Sequence, residues 1–354
     1  MKGIILHGGH GTRLRPLTHT GPKQLLPIAN KPMSQYGIES IRDAGITEIA
    51  IIIGGIGMNK VKEYYGDGTK FGLKFSYIEQ DMPRGISHAV SLCENFVGNE
   101  KFVVFLGDNI LKDNISNYIK EFEQSDAEAS LVLCEVDNPS RFGIADVKDE
   151  KIVKIVEKPQ NPSSNLAVIG VYLLKPSIFP IIKNLKPSWR NELEITDALQ
   201  MLLDENAKII YNTVSENWKD TGTPEDIIQA NKIILKDLDP YFNGIKDDDV
   251  KITGKIIVGT NSHIKDGCVL EGPLIIGSNC VIDSGAHIGP NTSVGDNTKI
   301  SKCNISDSII MSNCIIDCDA TIKQSIISTN STISENKEND YKLLLLGEGT
   351  KIIL

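Results

Sequence analysis

Glycine and positive charge are concentrated in one short stretch near the start of the chain. The apolar run GIIL (3–6) is followed by three glycines and three cations: Gly8, Gly9, Gly11, Arg13, Arg15 and Lys23. Glycines allow a tight turn whose exposed N–H groups converge on a phosphate, while arginine and lysine add full charges. A purely structural turn does not account for three cations, so the stretch predicts a phosphate-binding loop.

The spacing of these glycines differs from two common phosphate-binding patterns. Arg13 and Leu14 stand where G-x-G-x-x-G requires its third glycine, and G-x-x-x-x-G-K-[ST] is not matched either. A dinucleotide-binding dehydrogenase would also need an acidic residue ~20 positions later to bind a ribose. Glu39 lies inside a helical pattern rather than after a second strand, so this class of enzyme is disfavoured.

Two aspartates in separate loops are candidate ligands for a divalent cation. Asp108 lies in LGDN, directly after the run KFVVFL (101–106), and Asp220 lies in WKDTGT (218–223). Carboxylate oxygens suit Mg²⁺, a hard cation that keeps several waters. Either aspartate alone is more typical of a turn or a cap. No nucleophilic triad is evident in the sequence.

Charge and hydropathy exclude several classes of protein. The chain has 354 residues and a net charge of −9, which argues against non-specific binding to nucleic acid or anionic membranes. No apolar stretch approaches the ~20 residues of a membrane helix, and the start lacks a signal-peptide pattern. We therefore expect a cytoplasmic protein that acts on small molecules.

Short β-rich runs alternate with amphipathic stretches up to about residue 240. The runs are GIIL (3–6), EIAIII (48–53), FSYIE (75–79), KFVVFL (101–106), ASLVLCEV (129–136), KIVKIVE (151–157), VIGVYLL (168–174) and KIIYNTV (208–214). Helical patterns occupy 32–45 and 88–96. Such alternation predicts an α/β fold with a Rossmann-like, mostly parallel sheet flanked by helices. Ligands of these sheets bind outside the carboxyl ends of the strands, where the two candidate loops emerge.

A six-residue rhythm replaces this alternation after about residue 245. Its apolar positions are Ile252, Val258, Ile264, Leu270, Ile276, Ile282, Ile288, Val294 and Ile300. The register slips near Ile305 and resumes at Ile310, Ile316 and Ile322. A fixed hexad predicts three short strands per coil of a left-handed parallel β-helix, with the apolar side chains inside and glycine or asparagine at the corners. At ~18 residues per coil, four to five coils are expected.

The segment LKDLDPYFNGIKDDD (235–249) is predicted to be the linker, because it contains Pro240, Gly244 and a run of aspartates. The predicted domains are therefore a catalytic domain, 1–240, and a β-helix domain, 241–354. The last residues, KLLLLGEGTKIIL, could form one more strand pair or a cap on the solenoid, and the sequence leaves both open.

Seven motifs, in order, resemble the sugar-1-phosphate nucleotidyltransferases, and most of all the long-form glucose-1-phosphate thymidylyltransferases. The motifs are GGHGTRLRPLT with PKQLLP, Gln80 with PRG (83–85), LGDN (106–109), RFGI (141–144), EKP (157–159), NELEITD (191–197) and WKDTGT (218–223). They span the first domain, and the hexad solenoid is similar to that of the long form. The resemblance implies transfer of a nucleotidyl group from dTTP, or also UTP, to glucose 1-phosphate. The products would be dTDP-glucose and pyrophosphate.

The resemblance also implies site residues. Arg13 would bind the departing phosphates, and Lys23 the α-phosphate or the incoming phosphate. The nucleotide-binding residues would be Leu6, Gly8, Gly9, Gly11, Thr12, Gln24, Gln80, Pro83, Gly85 and Asp108. The sugar-phosphate-binding residues would be Asn109, Gly143, Glu157, Lys158, Val168, Gly170 and Tyr172. Asp108 and Asp220 would hold Mg²⁺, the expected cofactor.

Base selection is expected from Gln24, Gln80 and the backbone at Gly85. An amide and a carbonyl can pair with the edge of thymine or uracil and would leave groups unpaired against other bases. Arg190 and Glu192 are expected at the rim of the pocket.

Three residues depart from the usual pattern of the family. His7 replaces an alanine, His10 a small residue, and Asn191 a glycine. We expect His7 to lie close to the nucleotide and to alter affinity or base preference. His19 and His88 are expected to be structural, and Trp218 a packing anchor.

Three alternatives remain open at this point: a UTP-dependent uridylyltransferase, a non-catalytic sugar-nucleotide sensor, and an acyltransferase site in the solenoid. The last would need a catalytic histidine and more coils. His263 and His287 lie in two coils without any further motif. A scaffold or oligomer contact is therefore the favoured role of the solenoid, and a homo-oligomer is expected.

Overall fold

The computed structural model describes residues 1–9, 11–215, 217–335 and 348–353. His10 and most of the predicted C-terminal element lie outside the described residues. The chain divides into two compact units. The first comprises Met1–Gly11, Thr18–Leu25 and Met33–Trp218, and the second Thr12–Leu17, Leu26–Pro32 and Lys219–Leu354. The predicted domain boundary at residue 240 stays a prediction.

The elements up to residue 240 follow the predicted alternation. The strands are β1 Lys2–Leu6, β2 Pro27–Ile28, β3 Lys31–Pro32, β4 Glu48–Ile53, β5 Lys74–Glu79, β6 Phe102–Leu106, β7 Asn109–Leu111, β8 Ala129–Glu135, β9 Gly143–Lys148, β10 Lys151–Glu157, β11 Leu166–Leu174, β12 Ile209–Val214 and β13 Trp218–Asp220. The helices are α1 Met33–Asp43, α2 Met58–Tyr65, α3 Ile86–Ser91, α4 Glu94–Val97, α5 Ser116–Gln124, α6 Ile178–Lys183, α7 Ile195–Asp204 and α8 Pro224–Leu235. Short 3₁₀ turns cover Thr12–Leu14, Lys23–Leu25, Thr69–Phe71 and Pro139–Arg141.

The first unit is built on one mixed sheet with the order β10-β9-β11-β6-β1-β4-β5, and β8 and β12 extend it beyond β11. Strands β6, β1, β4 and β5 are parallel neighbours, whereas β11 runs antiparallel to β6, β8 and β9. The apolar runs in the sequence before residue 240 do not predict β9. This strand forms a hairpin with β10, and Asp149 and Glu150 turn it with positive φ angles of 48° and 59°.

Buried side chains cover both faces of this sheet, as the continuous apolar runs predict. Ile4 and Leu6 belong to one apolar cluster, which includes residues of α6 and α7, and Ile5 belongs to another, which includes residues of α1. The α/β prediction is therefore confirmed, and the parallel strands β1 and β6 end together where the glycine loop and LGDN begin.

The second unit contains the left-handed parallel β-helix that the hexads predict. Its three parallel sheets hold six, six and five strands. These are β14 Tyr241–Phe242, β15 Ile245–Lys246, β16 Lys251–Thr253, β17 Ile256–Val258, β18 His263–Ile264, β19 Val269–Glu271, β20 Leu274–Ile276, β21 Val281–Ile282, β22 His287–Ile288, β23 Thr292–Val294, β24 Lys299–Ser301, β25 Asn304–Ser306, β26 Ile309–Ile310, β27 Ile315–Asp317, β28 Thr321–Lys323, β29 Ile326–Ile327 and β30 Thr332–Ser334.

The predicted linker and coil number need correction. Strands β14 and β15 lie inside segment 235–249, so the solenoid begins there. With six, six and five strands in its sheets, it makes more than five coils rather than four to five. The hexad misses this start because Lys246 stands six residues before Ile252 and the first coil is exposed: Ile245 is 65% exposed, whereas Val258 is fully buried.

Corners and interior of the solenoid agree with the prediction. Asparagines with left-handed backbone angles recur at one corner, namely Asn261, Asn279, Asn297, Asn313 and Asn330. Asparagine tolerates this conformation, and the Asn261 amide donates to Asn279 Oδ1 at 3.2 Å. The apolar positions from Val258 to Ile300 are fully buried. The register slip near Ile305 is present in the structure. Ile282 pairs with Ile300, whereas Ile300 pairs with Ile316, so the coil that follows Ile300 is shorter than the one before it.

One buried asparagine connects α8 to other parts of the second unit. Asn231 Oδ1 accepts hydrogen bonds from the Ala29 N–H at 2.8 Å and from Ser293 Oγ at 3.1 Å, and its amide nitrogen donates to the Asn291 carbonyl at 3.2 Å. Helix α8 and segment 26–32 therefore pack with the β-helix. Within the described residues, no helix is long and apolar enough to cross a membrane.

Candidate active site

The predicted phosphate loop begins where β1 ends. The Leu6 carbonyl accepts the Gly107 N–H at 3.0 Å, and the His7 N–H donates to the Ile52 carbonyl at 2.9 Å, so the loop starts at the carboxyl ends of β1, β4 and β6. Gly9 and Gly11 have φ angles of 97° and 59°, which side chains rarely adopt. Glycine is thus required at both positions for the loop to turn.

Two side-chain hydrogen bonds hold the loop from within the first unit. Gln24, which is 1% exposed, donates through Nε2 to the Gly8 carbonyl at 2.9 Å, and Thr18 Oγ1 donates to the Gly11 carbonyl at 2.8 Å. Gln24 Oε1 is buried without a hydrogen-bond partner among the described residues. An unpaired buried acceptor costs about 1–3 kcal/mol, so this oxygen is positioned to gain a donor on ligand binding.

His7 lies beneath this loop as a neutral imidazole. It is 1% exposed, and neither ring nitrogen has a hydrogen-bond partner in the described part of the chain. Burial lowers its pKa from 6.5 to about 3, although the negative charge of Asp108 acts in the opposite direction. The ring stands edge-on to Tyr65, with centroids 6.0 Å apart. The expectation that His7 is close to the predicted site is consistent with its proximity to Asp108.

Lys23 and Asp108 form an ion pair inside the first unit. Their side chains are 13% and 22% exposed, so solvent screens this pair less than a surface pair. Burial opposes ionisation of Asp108, but the Lys23 charge and the Asn109 amide, which donates to Oδ1 at 3.0 Å, together lower its pKa. Asp108 is therefore a carboxylate at neutral pH.

Asn109 is fixed by three groups. Besides its bond to Asp108, its Oδ1 accepts from Trp218 Nε1 at 2.7 Å and from the Gly170 N–H at 3.3 Å. A side-chain carbon at Gly170 would lie 2.7 Å from Asn109 Cγ, so only glycine leaves room for this amide. Trp218 is a packing anchor, as expected, and it is also a hydrogen-bond donor.

The predicted base-reading residues form a second group after β5. The Gln80 side chain is 5% exposed, and its Nε2 lies 3.4 Å from the Gly85 carbonyl and 2.9 Å from His88 Nδ1. Gly85 has a φ of 101°, and a side-chain carbon there would lie 2.4 Å from the Leu193 carbonyl oxygen. Pro83 is exposed beside this group. His88, expected to be structural, contacts Gln80 directly.

Two of the predicted sugar-phosphate residues, Gly143 and Lys158, lie next to a third, Glu157. Its carboxylate accepts hydrogen bonds from Arg190 Nη1 at 3.2 Å and Thr196 Oγ1 at 3.0 Å, and Lys158 Nζ lies 3.3 Å away. A side-chain carbon at Gly143 would lie 2.5 Å from Thr196 Cγ2, which explains the glycine at this position.

Arg190, which was expected at the rim of the pocket, contacts other carboxylates besides Glu157. It also contacts Glu192 at 3.0 Å and Glu194 at 3.2 Å, so one guanidinium serves three carboxylates. Burial and the charge of Glu157 raise the pKa of Glu194. Asn191 has a φ of 61°, and asparagine takes the place of glycine there because it tolerates this angle.

Two further predicted residues lie on β11. Tyr172 is 4% exposed, and burial, followed by the charges of Glu157, Asp108 and Glu194, raises its pKa. Val168 is also buried and pairs with Leu133 of β8. The proximity of Tyr172 to both Glu157 and Asp108 places the two predicted subsites side by side in the first unit.

Arg13 and Asp220 lie in the second unit, where they are neighbours. A side-chain carbon at Gly222 would be 3.5 Å from Arg13 Nη1 and 3.2 and 3.3 Å from the two Asp220 carboxylate oxygens. Thr12 and Arg13 are both exposed. Lys219, beside Asp220, forms an ion pair with Asp226 at 2.7 Å.

Comparisons with known proteins agree with these motifs. The profile of the family described as nucleotidyl transferase matches residues 2–237, and that of the GMPPB C-terminal domain matches residues 270–352. The chain is 42% identical to the low-salt glycan biosynthesis nucleotidyltransferase Agl11 of Haloferax volcanii, over the whole of both chains. It is 39% identical to a glucose-1-phosphate thymidylyltransferase of Streptomyces antibioticus, over 99% of both.

Two solved structures resemble the chain. One is described as a glucose-1-phosphate thymidylyltransferase from Bacillus anthracis with sucrose, at 44% identity and a TM-score of 0.64 over 68% of this chain and 96% of that one. The other is a UDP-glucose pyrophosphorylase with UDP-glucose, at 30% identity and a TM-score of 0.60 over 67% of this chain and 99% of that one. The chain therefore belongs to the nucleotidyl transferase family and is a sugar-1-phosphate nucleotidyltransferase.

Proposed function

We propose that the protein transfers a thymidylyl group from dTTP to glucose 1-phosphate, releasing pyrophosphate and forming dTDP-glucose. The observation that carries the proposal is the Lys23–Asp108 ion pair at the carboxyl ends of β1 and β6. This pair lies in the same unit as Gln24, Gln80 and Glu157, which the family resemblance assigns to base and sugar. The full-length similarity to thymidylyltransferases of Streptomyces supports the choice of nucleotide.

The reaction is an in-line attack of the sugar-phosphate oxygen on the α-phosphorus of the triphosphate. The nucleophile is already an anion at neutral pH, so no general base or covalent nucleophile is required. Catalysis then consists of positioning and of neutralising charge. Lys23 carries three N–H donors, of which one points to Asp108, and it neutralises the α-phosphate or the incoming phosphate. Arg13 binds the departing pyrophosphate.

The charged groups fit a magnesium ion. Mg²⁺ takes one or two carboxylates and fills its other positions with waters and substrate phosphates. Asp108 is ionised because of Lys23, and the family resemblance assigns Asp220 as the second carboxylate. In the described ranges, no group of three or more metal-binding side chains occurs. When bound, the cation would supply positive charge to the phosphate oxygens.

The sugar is selected by the Glu157 group. A carboxylate that accepts hydrogen bonds from Arg190 and Thr196 keeps a fixed orientation toward sugar hydroxyls. Lys158 is held with a φ of 41°, and its N–H donates to the Phe142 carbonyl at 3.0 Å. A backbone held in this left-handed conformation aims the Lys158 ammonium, which binds the sugar phosphate.

UTP is the second candidate nucleotide. The structural similarity to a UDP-glucose pyrophosphorylase favours it, and uracil offers the same hydrogen-bonding edge as thymine. Discrimination between dTTP and UTP rests on the 5-methyl and 2′ positions, which are worth about 1–3 kcal/mol each in a pocket. We expect dTTP to be preferred and UTP to be used as well.

A pyrophosphate-release assay tests the proposal. Glucose 1-phosphate is incubated with dTTP, UTP, ATP or CTP, with Mg²⁺ or with EDTA, and the Asp108→Asn variant is the matched control. We expect rapid release with dTTP, slower release with UTP, and loss of both with EDTA. Loss of Asp108 is expected to cost about 2.7–4 kcal/mol in the reaction barrier, the scale of one preorganised electrostatic group. Absence of release with every nucleotide would reject catalysis in favour of a sensor.

A further inference from the structure

Gln80 and His88 are in contact at the end of β5. Gln80 directly follows this strand, and its N–H donates to the Ile53 carbonyl at 2.8 Å, which anchors its backbone. His88 lies in α3 and turns its Nδ1 to the Gln80 amide at 2.9 Å. The Gln80 side chain is almost fully buried, so the orientation of its amide is decided by its protein partners.

The two partners determine which end of the amide faces them. The Gly85 carbonyl can only accept, so the atom of Gln80 that faces it at 3.4 Å must be the nitrogen, Nε2. The second N–H of Nε2 then points to His88 Nδ1, which must be the acceptor. A neutral His88 therefore carries its proton on Nε2.

The carbonyl oxygen of Gln80 consequently points the other way. A side-chain carbon built at Gly8 would lie 3.3 Å from Gln80 Oε1, so this oxygen faces the glycine loop that follows β1. Within the described residues, no hydrogen bond to Oε1 is found, and it is available as an acceptor.

We propose that His88 is a positioning residue that sets base selectivity by fixing the amide of Gln80 with its oxygen toward the nucleotide. The inference rests on the proposed function, in which Gln80 reads the base. An amide oxygen accepts the N3–H of thymine or uracil, whereas N3 of cytosine is itself an acceptor and is repelled. A reversed amide would present an N–H and would favour cytosine.

His88 contributes more to this orientation than Gly85 does. The bond to His88 is 2.9 Å long, whereas that to the Gly85 carbonyl, at 3.4 Å, exceeds the usual range for N–H···O bonds. Burial, and then the charge of Arg84, lower the pKa of His88, and Asp81 acts in the opposite direction. The imidazole thus stays neutral at physiological pH and keeps Nδ1 as an acceptor.

Two substitutions separate the acceptor from the shape of the side chain. His88→Leu fills similar space without an acceptor, and His88→Asn keeps an oxygen acceptor at the position of Nδ1. The values of kcat/KM for dTTP and dCTP are measured with saturating glucose 1-phosphate. We expect His88→Leu to lower the dTTP-to-dCTP ratio at least about ten-fold, which corresponds to about 1.4 kcal/mol. His88→Asn should restore most of the ratio. The KM for glucose 1-phosphate should stay unchanged in both variants.

A spectroscopic measurement on the wild-type protein covers the case in which a variant does not fold. Nitrogen-15 NMR of the histidine rings, assigned with His88→Asn, should show neutral His88 protonated on Nε2 at neutral pH. Protonation on Nδ1 would overturn the inference, as would an unchanged dTTP-to-dCTP ratio in His88→Leu or an equal loss in both variants. If the wild type releases pyrophosphate from neither dTTP nor UTP, the proposed function fails, whatever the tautomer.

Discussion

Lys23 pairs with Asp108, and this ion pair joins the segment after the glycine loop to the residue that follows β6. The two residues are far apart in the sequence, but β1 and β6 are parallel neighbours whose carboxyl ends lie together. The carboxylate is kept ionised by a lysine that is itself a candidate ligand of the phosphates. One contact therefore keeps the Asp108 carboxylate ionised and holds it beside a predicted catalytic lysine.

Replacing Lys23 tests this pair. Lys23→Met should lower kcat/KM for nucleotidyl transfer by about 10²–10³, because a preorganised charge at the reacting phosphate is lost. Pyrophosphate release measures the effect. The matched control is Lys183→Met, since Lys183 forms an exposed pair with Glu94 at 2.8 Å. Near-normal turnover of Lys23→Met would contradict its catalytic role.

Gly170 is predicted to act through Asn109. In Gly170→Ala the new methyl group would occupy the space of the Asn109 amide, which would have to leave Asp108 and Trp218. We expect kcat/KM to fall about ten-fold or more, the effect of losing about 1.4 kcal/mol of transition-state stabilisation. Gly98→Ala is the control, because Gly98 has a φ of 58° and no close neighbour. It should lose stability but keep activity, and equal activity losses would refute the prediction.

A substitution of Glu157 should change the KM for the sugar substrate alone. Glu157→Gln removes the charge that faces Arg190 and Lys158, so the side chain is held less firmly and offers the sugar hydroxyls only one neutral acceptor oxygen. The KM for glucose 1-phosphate should rise about ten-fold, since a charge-assisted hydrogen bond contributes roughly 1.5–3 kcal/mol. The KM for dTTP should be unchanged. Steady-state kinetics with each substrate varied distinguish the two, and Glu135→Gln, at an exposed strand end, serves as the control.

The burial of His7 predicts how the stability of the folded protein depends on pH. Its pKa is lowered from 6.5 to about 3 in the folded protein, so only the unfolded chain binds this proton between those values. Stability is therefore lost as the pH falls below the unfolded pKa, by about 2 kcal/mol at a pH of about 5. Urea unfolding at several pH values measures this loss, and His7→Ala should show a smaller one. Parallel pH profiles for the two proteins would contradict the prediction.

Two neighbouring strands of the solenoid provide a matched pair of isoleucines, one buried and one exposed. Ile300 is fully buried and pairs with Ile316, whereas Ile315, which pairs with Lys299 on the same two strands, is 48% exposed. Ile300→Ala should lower the free energy of unfolding by about 2–5 kcal/mol, because it leaves a cavity. Ile315→Ala should cost far less. Similar losses in urea unfolding would show that the buried stack is not what stabilises the coils.

Local patterns in the sequence were sufficient to predict most elements. The run EIAIII is strand β4 with the same bounds, because strands buried on both faces read as continuous apolar runs. The hexads predicted the solenoid for the same reason, since every inward position of each coil must be apolar. The glycines of the first loop predicted a tight turn, and two of them, Gly9 and Gly11, have left-handed angles.

Other features depend on contacts between distant residues. Strand β9 was not predicted, because its sequence GIADVK has a weak apolar pattern and its second half is only partly buried or exposed. Arg190 was placed at a rim, although it contacts three carboxylates. His88 was assigned a structural role, because only the fold brings its Nδ1 to Gln80.

The sequence by itself determined the kinds of element, the family and the set of candidate residues, because these depend on residue type and spacing along the chain. Tertiary structure alone decided which side chains are partners, which carboxylates stay charged and which way the Gln80 amide points. Those properties depend on burial and on atoms a few ångströms apart in space, and neither is encoded in the distance between residues along the chain.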